Sequence, residues 1–160
     1  MSEPALLDEA VPHHFCLSVP DRDAAASWWR DLFGFEQEFS FEIPHIEARG
    51  AFLRRGSMRL ELFEIRGSLA VPEERRKPNT DLRTQGMKHF CFAVYDVQGA
   101  LEKVHGAGVK VVGVARGVGK PMVEEDDPRM SAGRAPATAF FMSDPWGSLI
   151  EVLGRNDFAP

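Results

Sequence analysis

Two histidines open near-identical octapeptides 75 residues apart, HFCLSVPD from His14 to Asp21 and HFCFAVYD from His89 to Asp96. Each is followed downstream by an acid set in an apolar run, Glu61 in RLELFEI and Glu151 in SLIEVLG. A carboxylate in such a run is costly to bury unless it is paired, hydrogen-bonded or metal-bound. Two neutral imidazoles and two carboxylates suit one divalent first-row ion, with positions left for solvent or substrate. Any of these residues alone is more often structural. The joint recurrence of His and Glu at matching places is what points to a metal site at His14, Glu61, His89 and Glu151.

Strand alternation must then place these side chains. It puts His14, Cys16 and Ser18 on one face, against Phe15, Leu17 and Val19. The echo puts His89, Cys91 and Ala93 opposite Phe90, Phe92 and Val94. The bulky faces suit packing on a helix, and the smaller, more polar faces suit the lining of a concavity. Further on, Arg59, Glu61 and Phe63 share a side against Leu60 and Leu62, while Glu151 faces away from Ile150 and Val152.

The helix after the first octapeptide shows Ala25, Trp28, Trp29, Leu32 and Phe33 at helical spacing, with Asp21 or Asp23 as N-cap and Gly34 as stop. Two strands then turn at Arg55-Gly56-Ser57. The second half repeats the order: a strand, a short helix ending at Gly106 or Gly108, the strand VKVVGVA, and a hairpin turning at Asp144-Pro145-Trp146-Gly147. Each half therefore reads β-α-β-β-β. The fold class expected is α+β, with tandem βαβββ modules over 12–66 and 86–154 forming a curved, cupped mixed sheet with helices outside. The polar segment 67–85 is a connector, and 1–160 is one domain.

The net charge of −5 gives no nucleic-acid footprint, and no apolar run approaches a membrane span. The acidic N-terminal stretch lacks a secretory leader pattern, so a cytoplasmic setting is expected, with Cys16 and Cys91 as buried reduced thiols.

These residues resemble the vicinal oxygen chelate superfamily, which includes glyoxalase I, methylmalonyl-CoA epimerase, extradiol dioxygenases and fosfomycin- or bleomycin-resistance proteins. The resemblance runs from about residue 12 to 154 and is carried by HHFCLSVPDRDAAASWWRDLFGF, RLELFE, GMKHFCFAVYD and FFMSDPWGSLIEVLG. Its most specific element is the D-P-x-G-x-x-I-E ending, from Asp144 to Glu151. The quartet is similar to the glyoxalase I and epimerase ligand sets. The resemblance implies a metal-dependent lyase or isomerase, moving a proton beside a metal-chelated carbonyl through an enediolate or enolate. Glu151 is then the first choice of base and Glu61 the second.

The resemblance also implies one divalent ion per site, Ni, Co, Zn, Mn or Fe, and a homodimer acting on a small molecule. Ser18 and Ile65 stand where some bacterial glyoxalase I sequences carry an Arg and an Asn, which argues against a glutathione adduct. Two other readings stay open: an Fe(II)-dependent ring-cleaving dioxygenase, with Glu61 off the metal, and a non-catalytic antibiotic-binding protein. The second half is longer, and its extra length falls in RGVGKPMVEEDDPRMSAGRAP. That loop is either a solvated segment or a flap that offers Arg116, Lys120, Arg129 and Arg134 to an anionic substrate, with Arg59 and Phe63 as further substrate contacts.

Overall fold

The computed structural model describes residues 5–117, 120–124 and 133–157. The chain divides into two compact units, Met1–Leu69 and Ala70–Pro160. Each unit carries one βαβββ repeat of an α+β fold. The first runs β1 (His14–Val19), α1 (Arg22–Phe33), β2 (Glu36–Ile43), β3 (Ala48–Arg55) and β4 (Met58–Ile65). The second runs β5 (Phe90–Val94), α2 (Val97–Gly106), β6 (Lys110–Ala115), β7 (Ala139–Ser143) and β8 (Leu149–Gly154).

Each repeat builds its own four-stranded mixed sheet, in the orders β1-β4-β3-β2 and β5-β8-β7-β6. The first and last strands of a repeat are parallel neighbours, and the other pairings are antiparallel. This topology sets β1, which opens on His14, beside the acidic strand β4, and β5, which His89 immediately precedes, beside the acidic strand β8.

Local chemistry fixes the helices. Asp21, not Asp23, caps α1, its carboxylate accepting from the amides of Asp23 at 3.0 Å and Ala24 at 2.9 Å. Gly34 ends the helix at φ 70°, a left-handed conformation that a residue with a Cβ adopts at a cost. In the second unit Asp96 caps α2, which ends at Gly106.

The bulky strand faces do pack on helices. Trp29 is fully buried and meets Phe15 edge-on at 5.9 Å and Phe35 at 5.8 Å, while stacking on Phe33 at 5.0 Å. Leu60 and Leu62 are fully buried on the same side of the first sheet. In the second unit Leu101, Phe140, Met142 and Ile150 form the equivalent core. Burying each such side chain contributes about 1.5 to 3 kcal/mol, so the sheets are held firmly from the helix side.

Candidate functional site

On the opposite faces the sequence pattern is realised twice. In the first unit the register sets His14 opposite Arg59 and Cys16 opposite Glu61. His14 and Glu61 are thus diagonal neighbours on one face, within reach of each other's side chains. His14 Nε2 lies 3.3 Å from Glu61 Oε2. In the second unit Cys91 is opposite Glu151, and His89, two residues earlier, sends Nε2 to 3.2 Å from Glu151 Oε2. Both pairs are partly exposed.

The repetition extends to an aromatic ring that the sequence reading did not single out. Phe52 is the antiparallel partner of Glu61, and Phe141 that of Glu151. His14 meets Phe52 edge-on, with centroids 5.3 Å apart and planes at 81°, and His89 meets Phe141 at 5.0 Å and 89°. Counting outward from the turns at Gly56 and at Asp144–Gly147 would have found both phenylalanines, because a tight turn fixes antiparallel partners. Each unit therefore presents the same group: a histidine against a phenylalanine face edge, a glutamate beside it, and a cysteine across the row.

The cysteines depart from expectation. Cys16 and Cys91 are exposed rather than buried, because they share the histidine face and not the helix face. Partial desolvation, and then the facing carboxylates of Glu61 and Glu151, push the thiols of Cys16 and Cys91 up to about 12. Both are neutral thiols at physiological pH.

His14 also has a neighbour that His89 lacks in its octapeptide. His13 Nδ1 is 2.9 Å from His14 Nδ1, and Arg59 Nη1 is 3.4 Å from His13 Nε2. A guanidinium can only donate. His13 Nε2 therefore accepts, its Nδ1–H donates to His14 Nδ1, and His14 Nε2–H faces Glu61. Arg59 is held in turn by Glu38, at 2.7 and 3.0 Å.

Phe63 sits two residues beyond Glu61 on β4, edge-on to Phe41 at 5.6 Å. Phe41 is tilted at 5.9 Å from Phe52, and Phe39 stacks on Phe52 at 5.0 Å, so the first unit carries an aromatic wall beside His14. The Phe41 ring lies over Gly50, where a Cβ would collide with it. Arg116 donates to Gln98 at 3.2 Å and to the Ala135 carbonyl at 2.6 Å, so it anchors its own loop. Lys120 and Arg134 are exposed, and Arg129 lies outside the described residues.

The closing turn supports β8 from beneath. Asp144 is buried, and its carboxylate accepts from the amides of Trp146 at 3.0 Å and Ser148 at 2.7 Å. Gly147, at φ 100°, has Val71 and Arg76 packed where a Cβ would stand, and a Cβ there would meet them at 3.1 and 3.2 Å.

The donor set of each half fits half of a divalent-metal site: one imidazole nitrogen and one carboxylate oxygen converge from adjacent parallel strands. Within neither unit do three His, Cys, Asp or Glu side chains of the described residues converge as a ligand cluster. Each unit on its own supplies two donors.

Duplicated βαβββ units with a matched His–Glu pair on each sheet define a class of proteins built from paired modules of this kind. The chain belongs to the Glyoxalase/Bleomycin resistance protein/Dioxygenase superfamily, whose family model matches residues 13–123. It is similar to an ethylmalonyl-CoA/methylmalonyl-CoA epimerase of Cereibacter sphaeroides, 24% identical over 140 residues that cover 88% of this chain and 94% of that protein. It is also similar to a 2-epi-5-epi-valiolone epimerase of an Actinomyces species, 28% identical over 92% of this chain and 81% of that one. Among solved structures, the trypanothione-dependent glyoxalase I of Leishmania major superposes with a TM-score of 0.63 at 19% identity, covering 92% and 88% of the two chains. That last likeness is one of fold.

Proposed function

We propose that the protein is a metal-dependent isomerase or lyase that moves a proton on a carbon next to a carbonyl, with epimerisation favoured over glyoxalase chemistry. The observation that carries this reading is the matched pair of contacts, His14–Glu61 at 3.3 Å and His89–Glu151 at 3.2 Å. His14, Glu61, His89 and Glu151 are the residues that would hold one divalent ion, of Ni, Co, Zn, Mn or Fe. When bound, such an ion polarises a carbonyl and acidifies the adjacent C–H.

The chain's own residues do the rest. Glu151 takes the proton from one side of the carbon, and Glu61, its equivalent in the other repeat, returns a proton from the other. Inverting a stereocentre needs proton access on two faces, and two equivalent carboxylates supply it. Both similar curated proteins are named as epimerases, which supports this choice. Phe52 and Phe141 keep the imidazoles in edge-on register, and the wall of Phe39, Phe41, Phe52 and Phe63 offers an apolar surface for the substrate's carbon frame.

The two repeats act as one catalytic domain in this reading, in a homodimer. The free thiols of Cys16 and Cys91 suit a reducing cytoplasm. None of the helices among the described residues is long and apolar enough to cross a membrane.

Solvent exchange tests the reaction. Metal-loaded protein in deuterium oxide is expected to wash deuterium into the α-carbon of 2-substituted acyl thioesters or α-hydroxyketones. Glu61→Gln and Glu151→Gln should each reduce that exchange by at least about a hundredfold. Mixing the two variants regains activity only if the quartet is shared between protomers. Absence of exchange across both compound classes would refute the proton-transfer reading.

A further inference from the structure

The connector is more than a tether. From Ala70 onward it belongs to the second compact unit, and its polar residues are spent on holding it in one shape. Thr80 donates to the carbonyls of Glu74 at 2.5 Å and Lys77 at 2.9 Å. Arg76 donates to the Val71 carbonyl at 2.7 Å, and its side chain packs on Gly147 of the closing turn. Asp81, largely shielded, accepts from Arg75 at 2.9 Å and from Lys88 at 3.3 Å, and Lys88 also donates to the Thr84 carbonyl. The Thr84 hydrogen bond, with those of Arg75 and Lys88, holds the Asp81 carboxyl below its usual range, so it stays ionised.

So folded, the connector walls a cavity of about 80 Å³ against the start of the second repeat, with His89 and Leu149 among its lining. Among the described residues, three cations, Arg75, Lys77 and Lys88, face this space with Asp81 as the single carboxylate. The cavity has room for a few waters or one small oxyanion. Arg75 and Lys88 are fixed by Asp81, whereas Lys77 is paired, among the described residues, with Glu124 alone, at 3.1 Å and with both side chains more than half exposed. Such a pair contributes little and yields readily to a better-placed anion.

We propose that this pocket binds a carboxylate or phosphate group of the substrate through Lys77 and Arg75, and so sets the reacting carbonyl beside His89. The placement of the carbonyl rests on the function proposed above, whereas the anion site stands on the connector alone. The substrate class that follows is a carbonyl compound with a second, anionic group a short distance from the reacting carbon.

The test is calorimetric titration of the full-length protein as purified with propionate and, separately, with inorganic phosphate at low ionic strength. Metal content is measured on the same samples. Wild-type protein is expected to bind at least one of the two, and the tighter one names the source of the oxyanion. Lys77→Met should weaken binding about five- to tenfold, and Lys77→Glu should abolish it, with metal content unchanged. Lys103→Met, on α2 and outside the pocket, should leave binding as it was. Wild-type affinity in both Lys77 variants, or no binding of either anion by wild type, overturns the pocket. Lack of metal in samples that still show the Lys77 effect would overturn the metal reading and leave the pocket standing.

Discussion

His14 Nε2 stands 3.3 Å from Glu61 Oε2 because parallel pairing of β1 with β4 makes them diagonal neighbours on one sheet face. The same construction in the second repeat brings His89 to 3.2 Å from Glu151. A two-residue offset on parallel strands thus builds a His–Glu pair, and the duplication carries that pair twice.

The tautomer of His14 follows from its neighbours. With Arg59 donating to His13, and His13 to His14, the metal-free imidazole carries its proton on Nε2. Holding an ion through Nε2 requires that proton to move to Nδ1 or leave. Long-range proton–nitrogen correlation spectra of chelator-treated protein should show the Nε2–H form of His14. Adding a divalent ion should replace it with the Nδ1–H form. Nδ1–H in the metal-free protein would contradict the chain of contacts from Arg59.

The two phenylalanines should separate support of the imidazole from support of the fold. Phe141 is buried against Val112 and Leu149, so Phe141→Ala should destabilise by about 3 to 5 kcal/mol. Phe52 is only half-buried, and Phe52→Ala should destabilise less, by about 1 to 2 kcal/mol, while lowering metal affinity by about tenfold. Urea unfolding together with metal titration checks both. Equal destabilisation by the two changes would remove the distinction.

Exposure and reactivity are expected to part company at the cysteines. With Cys16 and Cys91 pushed up to about 12 by partial desolvation and by the facing glutamates, iodoacetamide should modify both slowly at neutral pH in chelator-treated protein. Glu61→Gln should speed labelling of Cys16 alone, and Glu151→Gln that of Cys91 alone. Peptide mass mapping reads the two sites separately, and labelling at the rate of an unhindered thiol would contradict the account.

Asp144 gives a pH signature. Burial pushes its carboxyl up, against hydrogen bonds from Ser148, Trp146 and Gly147 that pull it down. The folded protein therefore keeps this proton to higher pH than the unfolded chain does. The stability tied to Asp144 falls as pH rises from the ordinary aspartate value through the raised one. Asp144→Asn removes that slope and keeps the acceptor for the Trp146 and Ser148 amides. In urea unfolding from about pH 4 to about pH 7, the variant should gain on wild type as pH rises. Asp144→Ala, which loses both hydrogen bonds, should cost about 2 kcal/mol at about pH 4, and less as pH rises, because it too removes the titrating group.

Much of this was legible from spacing alone. Period-two alternation sorted His14, Cys16 and Ser18 from Phe15, Leu17 and Val19, and cap chemistry at Asp21 and Gly34 bounded α1. The His–Glu pairs could be read because both residue types recur in step. Burial of the cysteines was misjudged from the apolar runs around them, although the same alternation set Cys16 and Cys91 on the histidine face, away from the helix. Phe52 and Phe141 needed the register and not merely the pattern. The shape of the connector was beyond reach, because it depends on Asp81 gathering Arg75 and Lys88, contacts with no periodic signal.

The central claim is that the two half-sites hold one ion together. Its most direct test is metal content after exhaustive dialysis, measured on wild type, Glu61→Gln and Glu151→Gln in parallel. The account predicts one divalent ion per quartet in wild type, and at least about tenfold weaker retention in each variant alone, since one repeat by itself offers only two donors. Wild type without stoichiometric metal, or variants that keep wild-type content, would contradict it.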